Sequence, residues 1–256
     1  LKKINSINEF KKKGILQILD VPLKFKNPFK INDKINNLYN LSCLNLAHSL
    51  ANEKKVSGFI SAPIDKKIFN HKFLGITEYL AFKTKSINEV MLIFNKELSV
   101  SPITTHVPIN KVSQKIKKKV IIKEINNIHE FYKKFLNLKP NIAVTGLNPH
   151  CETFAGKNIE KNEILPAIKM LKKRKIKILG PLSADTIFLE ENRKKFDVVV
   201  GMYHDQVLAP MKTIFGFNAI NITIGLPFIR ITPDHGPNYK MFGLNRSKPD
   251  SLIQAF

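Results

Sequence analysis

Short apolar segments alternate with longer amphipathic segments along the 256 residues of this chain. Runs rich in β-branched residues predict strands at 56–60, 90–94, 141–146, 176–180, 197–202 and 219–225. Amphipathic stretches at 110–138 and 162–173 predict helices between some of these strands. This alternation predicts an α/β fold with a largely parallel sheet. Segment 92–100 also permits a hairpin, with its turn near 95–97.

The composition is that of a globular protein, with 43% hydrophobic residues. The apolar runs are far shorter than the roughly 20 residues that cross a bilayer, and the first residues lack the apolar centre of a signal peptide. Two cysteines, Cys43 and Cys151, do not indicate a disulfide framework, so we expect a reducing, cytoplasmic location. Because the chain begins at Leu1 rather than Met, we expect a fragment.

The formal net charge is +22, from 42 Lys and Arg against 20 Asp and Glu. Such a charge is compatible with nucleic-acid binding. However, the lysines are spread along the chain, and no RRM, KH or zinc-finger spacing accompanies them. We therefore favour solvated helix faces as the explanation and keep nucleic-acid binding as an alternative. The same positive field would attract an anionic substrate.

Three predicted strands are followed by a histidine, namely His106, His150 and His204. Ligands of open α/β sheets bind beyond the carboxyl ends of the strands, and side chains there can converge within one chain or across a dimer. Three neutral imidazoles leave a divalent metal its charge and an open coordination position, which suits a Lewis acid. Structural hydrogen bonding remains the alternative, because no close ligand pair such as HExxH is present.

Other features of the sequence carry weaker signals. His48, His71 and His129 lie in helical or loop contexts and predict ordinary structural roles, and His235 in TPDHG predicts a structural turn. No G-x-G-x-x-G motif follows a predicted strand, so the Rossmann fingerprint for a dinucleotide is absent from the sequence.

Six segments resemble, in the same order, the 4-hydroxythreonine-4-phosphate dehydrogenases of the PdxA family. They are TTHVP (104–108), VTGLNPH (144–150), GPLSADTIF (180–188), MYHDQVLAPMK (202–212), NITIGLPFIR (221–230) and DHG (234–236). The resemblance extends from about residue 56 to 236 and implies an isocitrate/isopropylmalate-dehydrogenase-like fold. It implies two α/β/α lobes, 1–80 with 227–256 and 81–226, with an active site in the cleft that a homodimer completes.

The resemblance also implies a reaction. The family uses NAD or NADP and a divalent metal (Zn, Mg or Co) to oxidise 4-phosphohydroxy-L-threonine in pyridoxal phosphate biosynthesis. The resulting β-keto acid decarboxylates to 3-amino-2-oxopropyl phosphate. Matching positions imply metal ligands, drawn from both subunits, at His106, His150 and His204. They imply substrate contacts at Thr77, Lys212, Asn221 and Arg230, and catalytic roles for Asp185 and Lys212.

Several positions depart from the family pattern. Ile76 replaces a histidine of a Gly-His-Thr-Glu motif and cannot donate its hydrogen bond to a phosphate. The segment after His150 reads CETFAGKN instead of a glycine-rich loop, Val207 replaces a glycine, and Pro237 replaces a threonine. An alternative is therefore a paralogue that oxidises another phosphorylated hydroxy acid, of the threonate or erythronate type. A degenerate, inactive fragment is a further alternative.

Overall fold

The structure is a computed structural model that describes residues 1–11, 14–70, 72–73, 75–87, 89–152 and 158–256. The strands are β1 (Lys2–Ile4), β2 (Gln17–Leu19), β3 (Gly58–Ile60), β4 (Val90–Phe94), β5 (Ser99–Pro102), β6 (Ile142–Thr145), β7 (Ile178–Leu182), β8 (Val198–Gly201), β9 (Ile220–Ile224) and β10 (Ile229–Pro233). The α-helices are α1 (Asp33–Asn52), α2 (Ile76–Thr84), α3 (Ile109–Lys115), α4 (Lys118–Phe135), α5 (Leu165–Lys173), α6 (Glu190–Arg193), α7 (His204–Phe215) and α8 (Asp250–Ala255).

Eight of these strands form one sheet in the order β3-β10-β9-β4-β5-β8-β6-β7, and β1 pairs with β2 in a small separate sheet. Strands β5, β8, β6 and β7 are mutually parallel, as are β3 and β10. The ladders β4–β5, β4–β9 and β9–β10 are antiparallel. The four parallel strands place their carboxyl ends along a single edge of the sheet.

Helices cover the two faces of this sheet because the strand side chains alternate between them. Val198 and Val200 of β8 belong to one hydrophobic cluster, whereas Val199 belongs to another. Helix α4 turns a stripe of buried residues, Ile121, Ile125, Ile128 and Phe131, onto the first face. Helix α7 packs against the second face. A third cluster joins α1, α2 and the Phe228 region beside β3.

The predicted strands are confirmed in position, and the prediction of a largely parallel sheet is confirmed only in part, because four ladders of the large sheet are parallel and three are antiparallel. Its centre is antiparallel because the connections between β4 and β5 and between β9 and β10 are too short for a crossover helix. The hairpin alternative is confirmed, and its turn is closed by the Asn95 side chain, which accepts from the Glu97 amide at 2.8 Å. The sequence analysis missed β10, and it predicted one helix where Ile116 separates α3 from α4.

No helix within the described ranges combines the length and apolar character that crossing a bilayer requires. The sheet crosses the two predicted lobes, because β3 and β10 fall in lobe one and the six other strands in lobe two. The lobe boundaries near residues 80 and 226 stay a prediction.

Candidate active site

Four candidate site residues follow the four parallel strands. His106 comes after β5, His204 after β8, His150 after β6 and Asp185 after β7. Since β5, β8, β6 and β7 are neighbours in that order, the three histidines follow three adjacent strands along one edge of the sheet. The sequence prediction that these strand ends lie on a common edge is therefore confirmed.

His106 and His204 face each other within the chain. Their ring centroids are 6.3 Å apart. His204 is the first residue of α7, because Tyr203 before it has extended backbone (φ −146°, ψ 163°). A carboxylate lies beside the Nδ1 atom of each ring, Glu78 Oε1 at 3.5 Å from His106 and Asp205 Oδ1 at 2.7 Å from His204. Such partners fix the tautomer and leave Nε2 available as a ligand atom.

His150 lies apart from this pair. It is not among the residues that line the cavity into which His106 and His204 point, and 67% of its side chain is exposed. Its Nδ1 is 3.9 Å from Asp185 Oδ2, so it repeats the histidine–carboxylate arrangement of the other two. In the part of the chain that the structure describes, no three His, Cys, Asp or Glu side chains are grouped closely enough to hold one metal ion.

The cavity beside the histidine pair has a volume of about 370 Å³ and is open to solvent. Its lining collects five of the eight residues predicted for the site, which are Thr77, His106, His204, Asn221 and Arg230. They come from α2, the β5 exit, α7, β9 and β10, so segments distant in sequence build one wall. The predicted site residues outside the lining are His150, Asp185 and Lys212.

Arg230 is a buried cation on the floor of this cavity, with only 4% of its surface exposed. Its guanidinium donates to Ser61 Oγ from Nε (3.2 Å) and Nη2 (3.0 Å), and to Thr223 Oγ1 from Nη1 (3.2 Å). Burial lowers the pKa of Arg230 to about 10, and the charge of Glu78 opposes this shift. The side chain therefore stays charged at neutral pH, and no carboxylate of the described residues forms an ion pair with it, which suits it to bind an anion.

Lys212 reaches the cavity wall through Asp234. Its ammonium group donates to the carboxylate and the carbonyl of Asp234, which lines the cavity, and lies 4.9 Å from the centre of the Phe217 ring. Burial raises the pKa of Asp234, while the hydrogen bond and charge of Lys212 lower it. Both cations lie in regular structure, Lys212 in the last turn of α7 and Arg230 inside β10.

Gln206 holds the start of α7 against the end of β6. Its Oε1 accepts from Thr145 Oγ1 (2.9 Å) and the Met202 amide (2.7 Å), and its Nε2 donates to the Gly146 carbonyl (2.8 Å). Asp205 contacts the imidazole of His204 directly, whereas Gln206 acts through the backbone of the strand that precedes it.

The loop that carries His150 is anchored by Glu160, which is 1% exposed. One carboxylate oxygen accepts from the amides of Leu147 (2.9 Å) and Asn148 (2.8 Å), and the other accepts from Asn148 Nδ2 (3.0 Å). Gly146 allows the loop to fold back so that Cys151 packs against it, since a Cβ on residue 146 would lie only 2.7 Å from Cys151 Sγ. The altered segment after His150 falls largely on 153–157, outside the described residues.

Sequence reasoning missed several residues of the site. Asp234 in DHG and Thr223 in NITIG were assigned no role, and Ser61 and Glu78 lie outside the six segments that resemble the family. His235, predicted to be structural, lines the cavity and has Nδ1 3.1 Å from the Gly236 carbonyl. His71 lies outside the described residues.

Two of the departing residues have packing roles. Ile76 lines the cavity and packs against the cluster of α1 and α2, so it closes the cavity with apolar surface. Val207, on the buried face of α7, is fully buried and occupies the space beside Gly201.

Comparison with known proteins places this site in a family. The profile of the family described as "Pyridoxal phosphate biosynthetic protein PdxA" matches residues 1–256, more than the predicted span of 56–236. A 4-hydroxythreonine-4-phosphate dehydrogenase from Sulfurihydrogenibium sp. (strain YO3AOP1) is 41% identical over all of this chain and 80% of its own length. A D-threonate 4-phosphate dehydrogenase from Cupriavidus necator is 34% identical over 82% of this chain and 64% of its own length.

A solved structure extends the similarity to the fold. The crystal structure of 4-hydroxythreonine-4-phosphate dehydrogenase from Klebsiella pneumoniae superposes with a TM-score of 0.82 at 28% identity, over 99% of this chain and 80% of that one. The predicted isocitrate/isopropylmalate-dehydrogenase-like fold is thereby confirmed, and the predicted enzyme class agrees with the names of the relatives. The profile covers the whole chain, and a relative with 41% identity aligns along all of it, so the chain belongs to the PdxA family of pyridoxal phosphate biosynthetic proteins.

Proposed function

We propose that this chain oxidises 4-phosphohydroxy-L-threonine in pyridoxal phosphate biosynthesis, with NAD or NADP as hydride acceptor and a divalent metal ion. The observation that carries the proposal is one cavity lined by the facing imidazoles of His106 and His204 and by the buried cation Arg230. The pair suits a metal that grips a hydroxyl, and the cation suits an anionic group of the same substrate. Support for the dinucleotide comes from the family alone.

The donor set fits a metal ion. Two imidazoles bound to one ion by bonds of about 2.0–2.1 Å have centroids roughly 5–6.5 Å apart, and those of His106 and His204 are 6.3 Å apart. Glu78 and Asp205 lie at the Nδ1 atoms, as outer partners of ligating histidines do. Zn is our preferred ion, because imidazole ligands suit it better than they suit Mg.

The third ligand in this proposal is His150 of a second copy of the chain. Its largely exposed side chain and its absence from the cavity lining support a ligand that acts across a homodimer. Asp185, 3.9 Å from His150 Nδ1, would hold that ring in the tautomer that leaves Nε2 unprotonated. The cleft between lobes 1–80 with 227–256 and 81–226 would then be completed by the partner copy.

The remaining residues would bind and orient the substrate. When bound, the metal supplies a Lewis acid that lowers the pKa of the substrate hydroxyl, and the dinucleotide supplies the hydride acceptor. Arg230 would hold a phosphate or carboxylate, with Thr77 beside it through Thr223 (Oγ1–Oγ1 3.5 Å). Lys212 would supply a second positive charge next to Asp234. The buried Asn221 Oδ1, which has no hydrogen-bond partner among the described residues, would accept a hydrogen bond from the substrate.

Metal content and turnover test the proposal separately. The purified chain with Zn²⁺ and NAD⁺ should form NADH from 4-phosphohydroxy-L-threonine. His204→Ala and His106→Ala should abolish turnover and lower the metal bound per chain, whereas His129→Ala, at a histidine outside the lining of this cavity, should retain both. An unchanged metal content in His204→Ala would contradict the ligand assignment. A metal-loaded dimer that does not turn over 4-phosphohydroxy-L-threonine would refute the assignment of this substrate.

A second candidate is oxidation of threonate 4-phosphate. It is favoured by Ile76, which lines the cavity with apolar surface where the family has a histidine, and by a relative of that name. Comparing kcat/KM for the two substrates decides between them. For either substrate we propose a cytoplasmic enzyme.

A further inference from the structure

A second cavity, with a volume of about 230 Å³, lies beside His106. It shares Thr77, Glu78, His106 and Asn221 with the larger cavity, so the two adjoin at the candidate active site. Its distinctive feature is three carboxyl groups, which come from α2, the start of β4 and α4. They are Glu78, Glu89 and Glu124.

Among the described residues, each of these carboxyl groups has one unpaired oxygen, while the other oxygen of Glu78 lies 3.5 Å from His106 Nδ1. Within the residues that the structure describes, the buried Oε2 atoms of Glu78, Glu89 and Glu124 make no hydrogen bond, and neither does the buried Oδ1 of Asn221. Glu124 is only 8% exposed. A buried acceptor without a partner costs about 1–3 kcal/mol, and more if it is charged. Four such acceptors around one cavity indicate that a donor belongs there.

Lys123, which precedes Glu124 in the chain, does not supply that donor. The ammonium group of Lys123 donates instead to the Ile87 carbonyl at 2.6 Å. Within the described ranges, neither Glu89 nor Glu124 forms a salt bridge, although the chain has 42 Lys and Arg. Burial raises the pKa of Glu124 to about 8; the charge of Lys123 opposes this shift and that of Glu89 adds to it. A cation bound inside the cavity would offset the free-energy cost of burying these carboxylates.

The arrangement fits an ammonium group better than a metal ion. No three acidic or histidine side chains of the described residues are close enough to share one metal. A primary ammonium has three N–H donors that diverge toward separate acceptors, and the cavity offers separate acceptors on three elements. The substrate proposed above carries a primary amine on the carbon next to its reacting hydroxyl carbon. Threonate 4-phosphate carries a hydroxyl there instead.

We propose that Glu89 and Glu124, with Glu78 at the entrance, bind the substrate ammonium group and select an amino acid phosphate over the corresponding hydroxy acid phosphate. This inference rests on the proposed function and adds a specificity site to it. A hydroxyl could donate to one acceptor but would leave the others unpaired. Sites of this kind strongly reject an analogue that lacks the matching hydrogen-bonding group.

The test compares the two substrates in Glu124→Gln and Glu89→Gln, which keep size and remove charge. Glu130→Gln, an exposed position on the same helix α4, is the matched control. The ratio of kcat/KM for 4-phosphohydroxy-L-threonine to that for threonate 4-phosphate should fall about 10- to 100-fold in the two cavity variants and stay unchanged in the control, because a hydrogen bond to a charged group contributes about 1.5–3 kcal/mol. Calorimetric binding of the two ligands without dinucleotide should show the same change in preference.

The outcomes separate this inference from the function on which it rests. A wild-type protein that oxidises neither substrate overturns the proposed function. An active wild type whose ratio is unchanged in Glu124→Gln and Glu89→Gln overturns the ammonium site alone. A requirement for K⁺ or NH₄⁺ with both substrates, lost in Glu124→Gln, would assign the cavity to a free cation and also overturn it. Equal thermal unfolding midpoints of the wild type and the variants would show that a loss of folding does not cause the change in the kcat/KM ratio.

Discussion

Replacing Gln206 by alanine tests how the chain holds His204 in place. The side chain is 9% exposed and makes three hydrogen bonds, with Thr145, the Met202 amide and the Gly146 carbonyl. Truncation leaves these groups without that partner, and each buried group so orphaned costs about 1–3 kcal/mol. Because Thr145 and Met202 are fully buried, water cannot replace the lost partner freely. We expect the free energy of unfolding to fall by about 3–5 kcal/mol, the summed cost after partial relaxation.

Urea denaturation measures this loss, with the m-value as a check that the extent of unfolding is unchanged. Gln114→Ala, an exposed glutamine on α3, is the matched control and should change stability by less than about 0.5 kcal/mol. Gln206→Ala should also weaken metal binding, because the strand end before His204 loses its tie to β6. A stability change in Gln206→Ala no larger than that of the control would refute the argument that this network fixes the site.

Three further perturbations address the loop, the anion site and the buried acid. Glu160→Ala removes an acceptor of three hydrogen bonds, so the free energy of unfolding measured by urea denaturation should fall by about 2–4 kcal/mol. A fall no greater than that of the exposed control Glu152→Ala would contradict the role of Glu160 in holding the His150 loop. Arg230→Lys keeps the charge but loses the planar fork, so KM for the phosphorylated substrate should rise about 10-fold or more in steady-state assays, and an unchanged KM would exclude Arg230 from substrate binding. The pKa of Glu124 is about 8 in the folded chain against an ordinary value of 4.5, so unfolding releases a proton between these limits. Stability should therefore fall as pH rises from 5 to 8, by up to about 1.4 kcal/mol per pH unit, and urea curves of Glu124→Gln should lack this part of the slope; equal slopes would contradict the pKa shift.

The sequence alone determined the class of the fold and the edge of the sheet where the histidines lie. The strands at 90–94, 141–146 and 197–202 are buried on both faces, so their apolar runs are continuous and easy to recognise. Because side chains that follow parallel strands share an edge, His106, His150 and His204 could be predicted at one edge of the sheet, whereas the pairing of His106 with His204 depends on the strand order. The motifs around them were sufficient to predict the family.

Only the tertiary structure decided which groups meet away from that edge. β10 was missed because PFIRITP contains two prolines and lies directly after β9, so its hairpin pairing with β9 and parallel pairing with β3 were not apparent from the sequence. The burial of Arg230 against Ser61 depends on that pairing, across 169 positions of sequence. Glu89 and Glu124 carry no motif, and each resembles the acidic residues of a solvated surface when the sequence is considered alone. They share one cavity because α4 packs over the sheet beside the start of β4, a long-range contact that no local pattern encodes.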